Sequence, residues 1–181
     1  MRPAEVRDAA AIAAIYNQGI EDRLATFETE PRTAQAISEQ LADRRSRYPT
    51  VVAESDDRVL GVAWTSEYRP RAAYAGVAEF SIYVAREARG QGIGQLTLAA
   101  LLDAAAAAGF WKLVSRIFPE NLASRRLCAA LGFREVGIYR HHARLDGAWR
   151  DCVIVERLLG PAKLRHPDPS PHGEGETSRR S

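Results

Sequence analysis

The stretch that decides the fold is VAEFSIYVAREARGQGIGQLTL, residues Val77 to Leu98. It opens with eight residues rich in β-branched and aromatic side chains, a pattern that predicts a strand. A basic, glycine-rich turn follows at residues 86–94, and from Ile93 leucines and alanines recur at helical spacing. The sequence therefore predicts a strand, a glycine turn and a helix in direct succession.

The glycine turn has the composition of a phosphate-binding loop. Glycines let backbone N–H groups approach an anion, and the N-terminus of a helix adds partial positive charge. Arg86 and Arg89 accompany Gly90, Gly92 and Gly94, which favours an anion site over an ordinary turn that needs glycine only for its backbone angles. The turn lacks both the Gly-Lys-Ser/Thr end of a Walker A loop and the G-x-G-x-x-G spacing of a dinucleotide-binding fingerprint.

The turn reads R-x-x-G-x-G over residues 89–94, and it resembles the acyl-CoA pyrophosphate loop of the GNAT acetyltransferases. The end of the preceding strand, Ser81 to Val84, is similar to the pantetheine-binding strand of that family. Asn121-Leu122-Ala123-Ser124, followed by Leu131-Gly132-Phe133, resembles the family's segment after its fifth strand. The resemblance spans about residues 1–159.

This resemblance implies acetyl-CoA as co-substrate, with no metal. The Asn121 side chain is expected to bond the pantetheine arm, to cap the helix that follows it, or to do both. The cofactor-binding residues implied by the resemblance are Ile82, Tyr83, Val84, Arg89, Gly90, Gln91, Gly92, Ile93, Gly94, Asn121 and Ser124.

Within the family, the chain is similar to the phosphinothricin and methionine sulfoximine N-acetyltransferases. The segments that carry this likeness are 15–17, 26–28, 68–74, 79–84 and 146–151. Residues 109–116 and 118–121 resemble the arsinothricin N-acetyltransferases in particular. The resemblance implies a cytoplasmic homodimer that acetylates the α-amino group of a small anionic amino-acid analogue, which detoxifies the analogue and confers antibiotic resistance.

Glu79 is the candidate general base. Amino-acid α-amines are largely protonated at neutral pH, so acetyl transfer needs a group that removes a proton. Alternation places Val77, Glu79, Ser81 and Tyr83 on one face of the strand. A carboxylate in an otherwise apolar strand is costly to bury, which favours a cleft there, and the resemblance puts the family's base at this position. The alternative is an edge-exposed glutamate that pairs with an arginine.

Two further parts of the chemistry follow from the resemblance. The acyl carbonyl would be polarised by a backbone N–H near Ile82 and Tyr83, where the family's central strand separates from its neighbour. Many GNAT enzymes have a tyrosine general acid five residues before the Phe of Gly-Phe, and this chain has Cys128 there. Cys128 either serves as a weak acid or packs in the core, and the frequent burial of cysteine favours packing. A thiol can also leave as the anion without an acid.

A substrate with two anionic groups calls for arginines that grip pairs of oxygens. Arg69 and Arg71 lie in the loop that enters the central strand, and the family matches Arg71 directly. A solvated pair of loop charges is the alternative for both arginines, and it is stronger for Arg69 than for Arg71. Tyr74 is expected to close the pocket wall. Phe27 and Glu28 are expected in a lid or wall, with a core anchor as the alternative for Phe27.

The remaining pattern predicts an α+β fold, a single GNAT-like domain over residues 1–160. Its mixed, mostly antiparallel sheet has six to seven strands flanked by about four helices. The first strand is expected within Arg2 to Arg7, and Asp8 is expected to cap the first helix. The last two strands are expected at 133–139 and 150–158, with a turn at Asp146-Gly147. Residues 161–181 hold four prolines and few large apolar side chains, which predicts a disordered tail.

Composition narrows the function classes. A formal charge of +2 with scattered basic residues does not favour nucleic-acid binding. Asp103 and Lys112 interrupt the longest apolar run, and the N-terminus lacks the apolar core of a signal peptide, so we expect neither a membrane partner nor export. The two cysteines are expected to be reduced. His141 and His142 are adjacent, and we interpret both as non-catalytic.

Two other functions compete with acetylation of a small amino acid. Acetylation of protein N-termini or lysines would use an open groove, which the arginines at 69 and 71 do not favour. A catalytically silent acyl-CoA-binding module would bind the cofactor without turnover, and the presence of Glu79 argues against it.

Overall fold

The computed structural model describes residues 1–44, 47–160 and 162. Within these residues the chain forms seven strands and four α-helices. The strands are β1 (Arg2–Pro3), β2 (Thr50–Ser55), β3 (Arg58–Glu67), β4 (Val77–Val84), β5 (Lys112–Ile117), β6 (Arg134–Leu145) and β7 (Ala148–Leu158). The helices are α1 (Ala9–Glu21), α2 (Ala34–Arg44), α3 (Ile93–Ala107) and α4 (Leu122–Ala130).

The described strands form one mixed sheet in the order β1-β2-β3-β4-β5-β7-β6. Only β4 and β5 are parallel neighbours in this described sheet, and the other adjacent pairs are antiparallel. The predicted fold class, strand number and helix number are therefore confirmed. The predicted tail, 161–181, lies outside the described residues apart from Ala162.

Helices cover both faces of the sheet. The first core joins α1 and α2 to strand side chains that include Trp64 and Tyr83. The second core joins α3 and Cys128 of α4 to strand side chains that include Phe80. Tyr83 and Phe80 thus lie on opposite faces, as the alternation along β4 predicts. In the described part of the chain, no helix combines the length and the apolar character needed to cross a membrane.

The N-terminus differs from the prediction. The first strand ends at Pro3, and a single 3₁₀ turn at Val6–Asp8 leads into α1. Asp8 does not cap α1 with its side chain. Its buried carboxylate instead accepts two hydrogen bonds from Arg2, at 2.7 and 2.8 Å, and one from the Glu5 N–H at 2.8 Å. The backbone bonding to β2 ends with the Ala4 N–H, which donates to the Thr50 carbonyl at 2.9 Å, and the 3₁₀ turn then takes the place of the longer strand.

The last hairpin is longer than predicted. β6 continues to Leu145, and the pairing with β7 shifts between Tyr139 and Ala143. His141 has φ +47° in this shift, and its backbone N–H donates to an Asp151 carboxylate oxygen at 2.7 Å. A bulge of this kind interrupts strand alternation without ending the strand, which is why the sequence pattern stopped too early.

Candidate active site

The main cleft opens where β4 and β5 separate. The two strands pair only from Val77 with Lys112 to Glu79 with Val114. Beyond that point the Ser115 hydroxyl donates to the Phe80 carbonyl at 2.9 Å. The cleft has a volume of about 540 Å³, and the segment after α1 forms its other wall. The ladder between β3 and β4 runs without a register shift, so the opening arises on the β5 side of β4.

Glu79 lies in the wall of this cleft and is paired with an arginine. Nη2 of Arg116 lies 2.8 Å from one carboxylate oxygen of Glu79 and 2.7 Å from the other. The Glu79 side chain is 26% exposed and that of Arg116 is 45% exposed. The two readings of Glu79 in the sequence, a cleft residue and a glutamate paired with an arginine, therefore describe the same position.

The glycine loop between β4 and α3 is open on its outer side. Gly90 and Gly92 have φ of +75° and +80°, which only glycine adopts without strain, and a Cβ atom on either would meet nothing within 4 Å. Gly92 is the N-cap of α3, so the first N–H groups of the helix face this open space without intrahelical acceptors. Backbone of this shape can hold an anion such as a pyrophosphate.

The two arginines of the loop anchor it to the end of α1. Arg86 and Arg89 each form an ion pair with Asp22, at 2.7 and 2.8 Å. Nε of Arg89 also donates to the Val84 carbonyl at 3.1 Å. Burial raises the pKa of Asp22, but hydrogen bonds from the two arginines outweigh it and hold the pKa below its usual range. The arginines therefore tie the loop to α1, and the backbone at Gly90 and Gly92 stays open.

Four of the predicted cofactor-binding residues line the cleft: Ile82, Tyr83, Asn121 and Ser124. Asn121 caps α4, since its side-chain oxygen accepts from the Ser124 N–H at 3.1 Å. Its amide nitrogen donates to the Leu24 carbonyl at 3.0 Å, which ties α4 to the segment after α1. The Tyr83 ring packs against the rings of Tyr16 and Trp64, with centroids 4.7 and 5.4 Å apart.

Phe27 and Glu28 lie in the wall opposite β4, and Phe27 also packs against a small buried cluster. The Phe27 ring packs edge to face on Phe118, with centroids 4.8 Å apart. Glu28 forms a two-point ion pair with Arg32, whose guanidinium also donates to Gln40 at 2.9 Å. Burial raises the pKa of Glu28, but the hydrogen bonds and charge of Arg32 outweigh it and lower the pKa below its usual range.

Arg69, Arg71 and Tyr74 are not in the cleft wall. They line a separate pocket of about 270 Å³ together with Arg47 and neighbouring loop residues. The two cavities adjoin the same strand, because Val77 lines the small pocket and residue 79, the next position on that face, lines the cleft. The structure thus places Glu79, Phe27 and Glu28 around one cleft, and Arg69 and Arg71 in a neighbouring pocket.

Cys128 is a core residue. It is 1% exposed and belongs to the core beneath α3. Burial, followed by the charge of Glu135, raises the pKa of its thiol to about 12. A thiol that is buried and this weakly acidic is poorly suited to protonate a leaving thiolate. Both cysteines, Cys128 and Cys152, are free and buried.

Two arginines that line the cleft, Arg32 and Arg116, were not identified from the sequence, and His142, interpreted there as non-catalytic, also lines it. Arg116 shares the face of Glu79, because it follows Val114 by two positions on β5, but this inference needs the register of the two strands, which the sequence does not show. His142 enters the cleft through the bulge in β6, and its ring centroid lies 6.5 Å from that of Phe27. Among the residues described, no cluster of three His, Cys, Asp or Glu side chains could hold a metal ion.

Comparison with known proteins gives the family. The model of the Acetyltransferase (GNAT) family matches residues 12–133. A phosphinothricin N-acetyltransferase of Streptomyces coelicolor is 37% identical over 164 residues, which cover 88% of this chain and 95% of the relative. An L-methionine sulfoximine/L-methionine sulfone acetyltransferase of Pseudomonas paraeruginosa is 33% identical over 166 residues, which cover 90% of this chain and 96% of the relative.

A solved structure agrees with these relatives. The crystal structure of a phosphinothricin acetyltransferase from Sinorhizobium meliloti in complex with AcCoA has a TM-score of 0.84 and 32% identity to this chain, covering 93% of it and 92% of that chain. The family match spans the glycine loop, β4 and the turn after α4, the segments on which the resemblance was based. The chain therefore belongs to the GNAT family of acetyltransferases.

Proposed function

We propose that this enzyme transfers the acetyl group of acetyl-CoA to the α-amino group of a small anionic amino-acid analogue of the phosphinothricin, methionine sulfoximine or arsinothricin type. The observation that carries the proposal is the position of Glu79, in a cleft that begins where β4 leaves β5. A carboxylate there can meet an amine that enters the cleft from the side of Phe27 and Glu28. The names and the close similarity of the relatives support the substrate class.

In this proposal the glycine loop holds the pyrophosphate of acetyl-CoA. Backbone N–H groups of residues 91–94 and the N-terminus of α3 provide the donors, and the open space at Gly90 and Gly92 leaves room for the anion. The pantetheine arm follows Ile82, Tyr83 and Val84 along the part of β4 that has no β5 partner. Asn121 and Ser124 flank the arm from the start of α4.

Glu79 removes a proton from the substrate ammonium, either directly or through a water molecule. The free amine then attacks the thioester carbonyl, and an unpaired N–H of β4 near Ile82 stabilises the negative charge that develops on its oxygen. The sulfur leaves as a thiolate, and the second amine proton, which is lost as the amide forms, passes to that thiolate or to bulk water. Cys128 is buried and weakly acidic, so the proposal assigns it no part in this step. Acetylation removes the basic amine, which is how it would detoxify the substrate and confer resistance.

The second anionic group of the substrate is assigned to Arg69 and Arg71, with Tyr74 as a neighbouring wall. Support comes from the position of their pocket, which adjoins β4 next to the cleft. The ion pair between Glu28 and Arg32 is assigned to shaping the opposite wall, because all three nitrogens of that guanidinium already have acceptors.

We further propose a cytoplasmic homodimer. The free state of both cysteines supports a reducing compartment. β6 is an edge strand of the described sheet and exposes Val136, Ile138 and Tyr139, which are about half exposed. An edge with apolar side chains is a natural place for a second copy to pack. Light scattering on the purified protein would test this, and a monomer at micromolar concentration would contradict it.

Thiol release from acetyl-CoA tests the catalytic proposal. The panel consists of phosphinothricin, methionine sulfoximine, arsinothricin, the ordinary amino acids and a peptide with a free N-terminus. Saturable turnover on one of the first three compounds is expected. Turnover on the peptide alone would move the assignment to protein acetylation, and tight acetyl-CoA binding without any turnover would identify a silent binding module.

A further inference from the structure

The ion pair between Glu79 and Arg116 lies at the point where the substrate amine must arrive. Both carboxylate oxygens of Glu79 contact one guanidinium nitrogen, so an arriving ammonium group meets oxygens that already have a hydrogen-bond donor. Within the cleft, the proposed base is therefore already paired with Arg116. A group of the substrate therefore has to replace Glu79 as the partner of Arg116.

Arg116 reaches Glu79 because of the separation of the strands. Residue 116 lies two positions beyond Val114, the β5 partner of Glu79, so both side chains project from the same face of the sheet. Only Nη2 contacts Glu79, and in the described part of the chain Nε and Nη1 of Arg116 have no hydrogen-bond acceptor. The guanidinium of Arg116, a residue that lines the cleft, thus has an unused edge formed by these two nitrogens.

Arg32, the other arginine of the cleft, has no such edge. Its Nε and Nη2 donate to Glu28, its Nη1 donates to Gln40, and its guanidinium lies 4.8 Å from the centroid of the Tyr16 ring. An anion that enters the cleft would have to share the nitrogens of Arg32 with Glu28 and Gln40. Arg116 can pair with the same anion by giving up only its contact with Glu79.

We propose that Arg116 is the binding residue for the α-carboxylate of the substrate, and that this binding releases Glu79. An α-amino acid carries a carboxylate and an ammonium group on the same carbon, the two charges that complement an arginine and a glutamate. The carboxylate takes the guanidinium, with two parallel hydrogen bonds available, and the ammonium takes the freed Glu79. One ammonium proton then passes to a carboxylate oxygen of Glu79, which leaves the neutral amine. This inference rests on the proposed function.

The exchange makes the α-carboxylate a condition for catalysis as well as for binding. An amine without it leaves the guanidinium on Glu79 and meets an occupied base. The site would thereby select amino acids over simple amines through the same residue that restrains the base. The second anionic group of the substrate, assigned to Arg69 and Arg71, plays no part in this selection.

The test is a cycle between the arginine and the substrate carboxylate. Wild-type enzyme and Arg116→Gln are assayed at saturating acetyl-CoA with the amino acid of the panel above that the wild type turns over best, and with the amine obtained from it by decarboxylation. We expect Arg116→Gln to lower kcat/KM for the amino acid on the order of 10- to 100-fold, the effect of losing a charge-assisted hydrogen-bonded pair. For the amine we expect no loss or a gain, because its base is no longer held.

Two further variants complete the experiment. Arg116→Lys keeps the charge but not the two-point grip, and should fall between the other two enzymes. Arg58→Gln removes an exposed arginine, paired with Glu87 outside the cleft, and should leave the ratio between the substrates unchanged. Thermal melting and acetyl-CoA affinity report whether the Arg116 variants are folded.

The outcomes separate the two proposals. Equal losses of kcat/KM on both substrates in Arg116→Gln, with the wild type active, would overturn the role of Arg116 and leave the proposed function intact. Absence of wild-type turnover on every amino acid would overturn the proposed function and the inference with it. A loss confined to the amino acid supports both.

Discussion

Replacing Glu79 with glutamine tests the assignment of the base most directly. The substitution keeps the size of the side chain and removes its charge and its ability to take a proton. Among the described residues, the side-chain contact that this substitution changes is the pair with Arg116, and both partners of that pair are partly exposed. Ion pairs of that kind contribute about 0–1 kcal/mol to the free energy of unfolding, so Glu79→Gln should fold.

The kinetic effect should be far larger than the effect on stability. A positioned general base contributes about 10²- to 10⁴-fold to the rate, equivalent to roughly 3–5 kcal/mol of activation free energy. We expect kcat of Glu79→Gln to fall by that factor. The dissociation constant of acetyl-CoA should change little, because the glycine loop and the start of α4 provide its proposed contacts.

The pH profile distinguishes the loss of a base from general damage. Without Glu79, only substrate that has already lost its ammonium proton in solution can react. The rate of Glu79→Gln should therefore keep rising with pH until the substrate amine itself is deprotonated, and it should approach the wild-type rate there. A variant damaged by misfolding would lose the same fraction of activity at every pH.

Glu135→Gln is a matched control. Glu135 also forms a two-point pair with an arginine, Arg125, at 2.7 and 3.0 Å, but it does not line the cleft. It should retain wild-type kcat with a comparable small change in stability. If kcat of Glu79→Gln stays within about threefold of wild type at neutral pH, Glu79 is not the base.

Four further substitutions test close packing, the glycine loop, the buried thiol and the ion pair at the N-terminus. Gly19→Ala should destabilise the fold by about 1–3 kcal/mol in urea unfolding, because the added Cβ lies 2.7 Å from the Tyr83 ring and this outweighs a helix-propensity gain of about 1 kcal/mol. Gly92→Ala imposes φ +80° on an alanine, at about 1–2 kcal/mol, and its Cβ enters the open space of the loop, so acetyl-CoA affinity measured by calorimetry should fall. Cys128→Ala should leave kcat unchanged and lower the melting temperature, since it empties part of the core. Hydrogen bonds from Arg2 hold the pKa of Asp8 below its usual range, so the carboxylate stabilises the fold above about pH 4 and this stabilisation is lost as the pH falls. Asp8→Asn should therefore have a lower melting temperature than the wild type at neutral pH. Its melting temperature should fall less on acidification, which melting curves across pH would measure.

The sequence predicted the elements that depend on local pattern. Alternation and residue type identified β4, and the glycine spacing identified the start of α3 at Ile93. Where a distant partner decided the structure, prediction failed. Asp8 looked like a helix cap but bonds Arg2, and β6 looked finished at Tyr139 but continues through a bulge held by β7.

The same contrast between local pattern and distant partner applies to the residues of the cleft. The position of Glu79 on its face follows from alternation within one strand, whereas its partner depends on which strand lies next to β4, in which register, and where the two part. Arg116 lies 37 residues further along the chain, and no local pattern marks it as a neighbour. Once the parallel register is known, alternation along β5 places the arginine on the face of Glu79, and the loss of pairing beyond Val114 provides the space in which the side chains meet. The sequence alone therefore predicts where the proposed base lies on its strand, but not which charged side chain lies beside it. In the proposed mechanism that neighbour, Arg116, decides whether the substrate has to displace an ion pair before Glu79 can act.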